Sequence, residues 1–387
     1  MKQMTTMSDQ KTTIILHSNE KCSSQCRETL KKMGVKIKYE LPLIDCYCIE
    51  VPYSKLTDIA ALRHVKYLGA DVSVKSQMDI ASQEVKARII NNSGYTGKGV
   101  GIAIIDTGLY PHRDFIKPKN RIKAFKDFVN NKELPYDDNG HGSFVAGVAA
   151  GSGYVSRGKY QGIAPGADII AVKALDKKGS GHTSDILAGL QWVADHHEEY
   201  NIRVLSLSLG TEAKRISGID AMVLAVNALW DRGITVVAAA GNSGPKSGTI
   251  TSPGVSSKII TVGAADDRRT VDISDDVIAD FSSRGPVNNR IKPDVVAPGV
   301  NVVSVKSDTE YQSGQRLRAL ASSYTTMSGT SVATPIVAGS AALLLEKNPS
   351  WTPDEIKEAL MNNAISIDGD PNSEGKGIIN LKAIFAD

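Results

Sequence analysis

The chain has 387 residues, too many for one average domain and enough to bury a large core. Its 45 Lys and Arg against 42 Asp and Glu leave a net charge of +3, which gives no electrostatic reason to expect nucleic acid or an anionic membrane as partner. Hydrophobic residues make up 41%, as in an ordinary globular protein, and they fall in strand-length or helix-length runs too short to cross a bilayer.

The first residues are polar until Thr13-Ile14-Ile15-Leu16, too short a run for a signal-peptide core, so the sequence reads as that of a cytoplasmic protein. Residues 12–77 alternate short elements. Strand Thr12–His17 is followed by helix Ser24–Met33, strands Val35–Leu41 and Cys46–Val51, helix Tyr53–Arg63 and strand Val65–Val72. This βαββαβ order predicts a small ferredoxin-like sandwich. The four cysteines, Cys22, Cys26, Cys46 and Cys48, all lie here. Their spacing suits neither a zinc site nor a redox pair, and they read as small buried thiols. Residues 78–97 read as a linker and a helix ending at the turn cluster Asn91-Asn92-Ser93-Gly94.

After Gly97 the pattern changes. Val100–Ile105, Asp168–Val172, Arg203–Ser208, Ile234–Ala239 and Lys258–Val262 are short apolar runs that alternate with helical stretches such as Ser184–His197 and Asp220–Arg232. Apolar strands separated by helices predict an α/β fold, with a mainly parallel sheet covered on both faces. Thr352-Pro353-Asp354-Glu355 combines an N-cap, Pro at the first helical position and Glu three residues after the cap, so a helix should start there.

Four segments carry chemistry. GVGIAIIDTG places Asp106 at the carboxyl end of an apolar strand, where α/β enzymes build their sites, although many such strands end in Asp. DDNGHGSFVAGVAAG sets His141 between two glycines that leave its imidazole free of bulky flanks, a setting the other histidines lack. TMSGTSVATP puts Ser331 at the start of a long apolar helix, where the dipole favours negative charge, though a plain helix cap would look similar. ITVVAAAGNSGP ends a strand in Asn242, whose side-chain amide could serve an oxyanion or simply a turn.

Together these segments resemble the subtilase (subtilisin-like, S8) family, whose Asp, His and Ser blocks appear in the family order as DTG, GHGS and GTSVATP. The resemblance runs from about Tyr95 to the C-terminal helix. SSRGP at Ser282–Pro286 and KPDVVAPG at Lys292–Gly299 look like the intracellular bacterial branch. It implies a subtilisin-like catalytic domain over residues 78–387 and an inhibitory, folding-assisting propeptide over residues 1–77, made together as a self-processing zymogen. By the same resemblance Ser331 is the nucleophile, His141 the general base and Asp106 its orienting partner, and the Asn242 amide and the Ser331 N–H form the oxyanion hole. Protein or peptide substrate would lie extended between Gly179-Ser180-Gly181 and Ser208-Leu209-Gly210, with Ala239-Ala240-Gly241 as a wall of the pocket for the residue before the cut. The propeptide's last strand should continue into Val74–Gln77 in the cleft, with cleavage near Gln77-Met78.

Departures from the family pattern are few. HGSF stands where HGTH is usual, and Val332 where Met is usual. The chemistry requires no cofactor. Ala149–Gln161 lacks the Asn-rich calcium loop of extracellular relatives, which argues against structural calcium there. Asp275-Asp276 could bind calcium but reads more simply as a solvated surface run. Two rival readings are a regulatory protease with one dedicated substrate and a peptide-binding pseudoprotease, which would usually have lost a triad residue. The block order also argues against the α/β-hydrolases, which run Ser, Asp, His.

Overall fold

Residues 11–70 form four strands and two helices: β1 (Lys11–Ser18), α1 (Ser24–Lys32), β2 (Lys36–Leu41), β3 (Cys46–Pro52), α2 (Leu56–Ala60) and β4 (Val65–Ala70). The computed structural model of the chain describes residues 11–19, 24–41, 46–70, 78–211, 220–318 and 320–386. It divides into two units, Met1–Lys75 and Ser76–Asp387. In the first, the strands run in the order β2-β3-β1-β4, and β1 pairs antiparallel with both β3 and β4. Period-2 alternation sends Ile14 and Leu16 of β1, with Tyr47, Ile49 and Val51 of β3, into one core with Cys26 and Leu30 of α1 and Ile59 of α2.

The second helix is shorter than its sequence span. Tyr53–Lys55 is a 3₁₀ turn and only Leu56–Ala60 is α-helical, because Pro52 forces an extended entry and Ile59 is the one side chain of α2 that is buried. Cys26 and Cys46 are buried, and the Cys46 sulfur lies 2.9 Å from His17 Nδ1. Cys22, Val74 and Gln77 lie outside the described residues.

The second unit opens with two short helices where the sequence suggested a linker and one helix, α3 (Met78–Glu84) and α4 (Ala87–Asn92). There follow β5 (Gly101–Asp106), α5 (Arg113–Ile116), β6 (Ile122–Asp127), α6 (His141–Ala150), β7 (Asp168–Lys173), α7 (Thr183–His196), β8 (Ile202–Leu207), α8 (Ala221–Asp231), β9 (Thr235–Ala239) and β10 (Ile260–Asp266). The last elements are β11 (Val277–Ile278), β12 (Val295–Pro298), β13 (Val302–Val305), β14 (Tyr324–Met327), α9 (Thr330–Lys347), α10 (Pro353–Asn362), α11 (Pro371–Glu374) and α12 (Leu381–Ala386).

The main sheet runs β11-β10-β9-β8-β5-β7-β6, with β12 also paired to β10, and only the β10–β11 pair is antiparallel. Every residue of β5 and β9 is buried, so both faces of the sheet are covered. Helices α6 and α9 pack on each other and on the sheet, while α7 pairs with α8. This is the expected α/β architecture. The chain leaves β5 toward β6 and β7 on one side and toward β8, β9 and β10 on the other, which makes the carboxyl end of β5 the switch point where such sheets bind ligands. Thr352 and Glu355 form the expected capping box at the start of α10. Among the described residues, no helix is long and apolar enough to cross a membrane.

Candidate active site

Asp106 ends β5 and is 1% exposed. Its carboxylate takes the Thr107 N–H at 2.7 Å and faces His141 Nδ1 at 2.8 Å from Oδ1 and 3.0 Å from Oδ2. With Nδ1–H donated to Asp106, the neutral imidazole presents Nε2 as an acceptor. Burial disfavours the charged ring. The Asp106 charge and hydrogen bond, with Asp137 adding, outweigh it and raise the His141 pKa above its ordinary 6.5.

The placement of His141 depends on a residue the sequence reading passed over. Asp137, 1% exposed, accepts from Thr107 Oγ1 (2.9 Å), Gly140 N (2.8 Å) and Asn139 N (3.2 Å) on Oδ1, and from Ser143 N (2.8 Å) and Ser143 Oγ (2.7 Å) on Oδ2. Thr107 Oγ1 in turn accepts the Gly142 N–H, and Ser143 Oγ accepts the Tyr110 N–H. This carboxylate therefore binds the loop after β5 to the first turn of α6. A Cβ at Gly142 would lie 2.3 Å from the Gly108 carbonyl oxygen, so the close approach needs glycine there. Phe144, where relatives usually have His, is fully buried in the core.

Lys173, at the end of β7, is fully buried and was also missed. Its ammonium donates to Thr107 O (2.5 Å), Asp138 Oδ1 (2.7 Å) and Leu175 O (2.9 Å), which uses all three protons. It joins the strand end beside Asp106, the approach to His141 and the edge that continues into Gly179-Ser180-Gly181.

Ser331 is the second residue of α9 and half-buried, between Thr330 and Val332 at 1% exposure each. Its carbonyl accepts from Ser208 Oγ at 2.7 Å. Asn242 Oδ1 accepts both the Thr330 N–H and Oγ–H at 2.9 Å. An N–H can only donate, so the oxygen must face Thr330, and the amide NH₂ is left for other partners. A Cβ at Gly329 would lie 3.0 Å from Ser331 Oγ and 3.4 Å from Asn242 Nδ2, so glycine keeps the space between those atoms open.

His141, Asn242 and Ser331 line one groove of about 570 Å³, with Gly179, Ser180 and Gly181 on one edge and Ser208, Leu209 and Gly210 on another. Leu175, Ile186 and Thr211 also line it and were not named from sequence. Ala239 ends β9, and Ala240 and Gly241 follow it before Asn242; none of the three is among the groove's lining residues. Both alanines are buried, and the Gly241 Cβ position is crowded by Thr251 and Ser283.

The segment 149–161 is tied by protein groups. Arg88 donates to Gly158 O and to Gln161 Oε1, and Asp114, fully buried, accepts from Val155 N (2.9 Å) and Tyr324 OH (2.8 Å). The expectation of a solvated Asp275-Asp276 run fails for Asp276, which is 5% exposed because it lies against Glu84 of α3.

A mainly parallel sheet with an Asp–His pair and a helix-borne serine at its switch point is the build of a serine hydrolase. The comparisons narrow this class to a subtilisin-like serine protease. The subtilase family profile (Peptidase_S8) matches residues 97–380. Serine protease AprX of Bacillus subtilis (strain 168) is 46% identical over 366 residues, covering 91% of this chain and 81% of that protein. Subtilisin Savinase of Lederbergia lenta is 37% identical over 300 residues, covering 77% of this chain and 95% of that one. Among solved structures, Sphericase superposes with a TM-score of 0.65 at 32% identity, covering 79% of this chain and 99% of that chain. The chain belongs to the subtilase family.

Proposed function

We propose that this protease is an endopeptidase made as a self-processing zymogen, with Ser331, His141 and Asp106 as its catalytic triad. The observation that carries the reading is the two-oxygen contact of Asp106 with His141 Nδ1, in a groove that Ser331 and Asn242 also line. Ser331 Oγ attacks the scissile carbonyl carbon and passes its proton to His141 Nε2, and Asp106 stabilises the imidazolium that forms. Negative charge develops on the carbonyl oxygen and is met by the Ser331 N–H at the start of α9 and by the Asn242 amide, whose NH₂ the Thr330 contacts leave available. The imidazolium then protonates the leaving amine, and water repeats the cycle on the acyl-enzyme. Substrate lies extended between Gly179-Ser180-Gly181 and Ser208-Leu209-Gly210.

In this reading residues 1–77 are the inhibitory propeptide, released by a cut near Gln77-Met78. Two observations support it: residues 11–70 build a core of their own, and the Savinase match spans nearly all of that protein while leaving part of this chain without counterpart. The test is the intact mass of the purified wild type beside Ser331→Ala. The wild type should split near residue 77 while the variant stays whole. If both split alike, Ser331 is not the nucleophile of processing; if both stay whole and a fluorophosphonate does not label Ser331, the triad assignment falls.

A further inference from the structure

Glu84, the last residue of α3, is fully buried, and neither of its carboxyl oxygens has a hydrogen-bond donor. The same holds for both oxygens of Asp276 at 5% exposure and for Oδ2 of Asp267 at 1%. The Glu84 and Asp276 carboxyls are in hydrogen-bonding contact with each other. Two carboxylates cannot bond without a proton between them, and leaving three buried charges unpaired would cost far more than neutralising one. Among the described residues no group of three or more His, Cys, Asp or Glu is arranged to hold a metal ion.

We infer that Glu84 is held as a neutral carboxylic acid that donates its proton to the Asp276 carboxylate, so that α3 is fastened to the turn before β11 by a latch that alkali opens. Helix α3 begins at Met78, so the latch holds the first element of the second unit. The charged groups around it favour the proton. Asp266 and Asp267 at the end of β10 and Asp272 and Asp275 ahead of β11 are all acidic; Lys86, just after α3, and Arg269, beside Asp267, oppose them. Of the elements that pack on α3, α4 carries Arg88, whose guanidinium donates to Gly158 O and Gln161 Oε1, and β13 carries no titratable side chain. Burial first, then the Asp276 and Asp267 charges, push the Glu84 pKa up to about 11, while burial raises Asp276 to about 6 and Asp267 to about 7.

The sign follows. The folded chain keeps a Glu84 proton that the unfolded chain releases near 4.5, so the latch is fully stabilising below that pH and loses strength as pH rises toward 11. Above about pH 8 both aspartates have titrated, and of these three carboxyls Glu84 alone supplies the slope, roughly tenfold in the unfolding constant per pH unit. The latch uses no group of the groove, so its failure would leave the catalytic reading untouched.

The test uses the full chain carrying Ser331→Ala, which removes self-digestion, with and without Glu84→Gln, unfolded in guanidinium between pH 7 and 9. An amide at 84 donates to Asp276 at every pH. The variant's unfolding constant should therefore fall relative to its parent by about tenfold per pH unit, making it the more stable protein at pH 9. Asp276→Asn removes the neighbouring charge but not the burial, so it should lower the pH at which Glu84 ionises and weaken the slope less than Glu84→Gln does. Parallel profiles for the parent and Glu84→Gln would overturn the inference, as would a parent that calcium stabilises and a chelator destabilises only when Glu84 is present. If neither variant folds, hydrogen exchange in the parent decides: amides of residues 80–84 should gain on those of α10 as pH rises, and a constant ratio refutes the latch.

Discussion

Asp137→Asn tests the network that positions His141. The substitution keeps size and shape but replaces one acceptor oxygen with an NH₂ group. Oδ1 faces the Gly140 and Asn139 N–H groups and Oδ2 faces the Ser143 N–H, so wherever the amide turns, its NH₂ meets a backbone donor. The two hydroxyls cannot absorb the change by simple rotation, because Thr107 Oγ1 is already engaged by Gly142 N and Ser143 Oγ by Tyr110 N. At least one charge-assisted hydrogen bond of about 1.5–3 kcal/mol is lost and one buried N–H is left unpaired at about 1–3 kcal/mol, together about 2.5–6 kcal/mol. That is a large part of the roughly 5–15 kcal/mol that holds a typical domain folded. Guanidinium unfolding of Asp137→Asn in the Ser331→Ala background should show a loss of this size. In the active background, kcat should fall at least tenfold at temperatures where the variant is still folded, since the first turn of α6 carries His141. A loss under about 1 kcal/mol with normal turnover would mean the carboxylate is neither dry nor saturated, and the account of how His141 is placed would be wrong.

In the proposed mechanism His141 must be neutral to act as base, and Asp106 holds its pKa above 6.5, so kcat/KM should fall on acidification from a midpoint above that value. Asp106→Asn should lower both the rate and that midpoint, and an unmoved midpoint in a pH–rate profile would contradict the assignment. Gly329→Ala should cut kcat/KM at least a hundredfold while the groove still binds a peptide inhibitor, because the added methyl would lie 3.0 Å from Ser331 Oγ and 3.4 Å from Asn242 Nδ2; near-normal turnover would show that no oxyanion forms there.

That Asp106, His141, Asn242 and Ser331 would meet was legible as an expectation because each sits near where an apolar strand ends or a small-residue helix begins, and such junctions collect at one edge of a parallel sheet. Their supports were not. An acid four residues before a histidine says nothing about a loop that folds back so that Asp137 reaches Thr107 and Ser143. A lysine closing a strand looks like a solvated end, and only the meeting of three chain segments makes Lys173 a buried tie. Asp276 reads as surface because its neighbours in sequence are acidic, whereas its burial follows from contact with a helix some 190 residues earlier. Ala239 and Ala240, expected as part of a pocket wall, are buried, and the Gly241 Cβ position is crowded by Thr251 and Ser283.

All but three residues of α9 are buried, and of its first turn only Ser331 is more than 1% exposed. The proposed nucleophile, carried on such a helix, has no private way to come loose. The loop at 177–181 can shift and admit substrate without moving it, whereas Ser208 on the facing edge is tied to the Ser331 carbonyl and disturbing Ser331 means opening the core of the second unit. Heat should therefore weaken peptide capture before it silences the nucleophile, and a fluorophosphonate should label a warming sample until the whole unit melts.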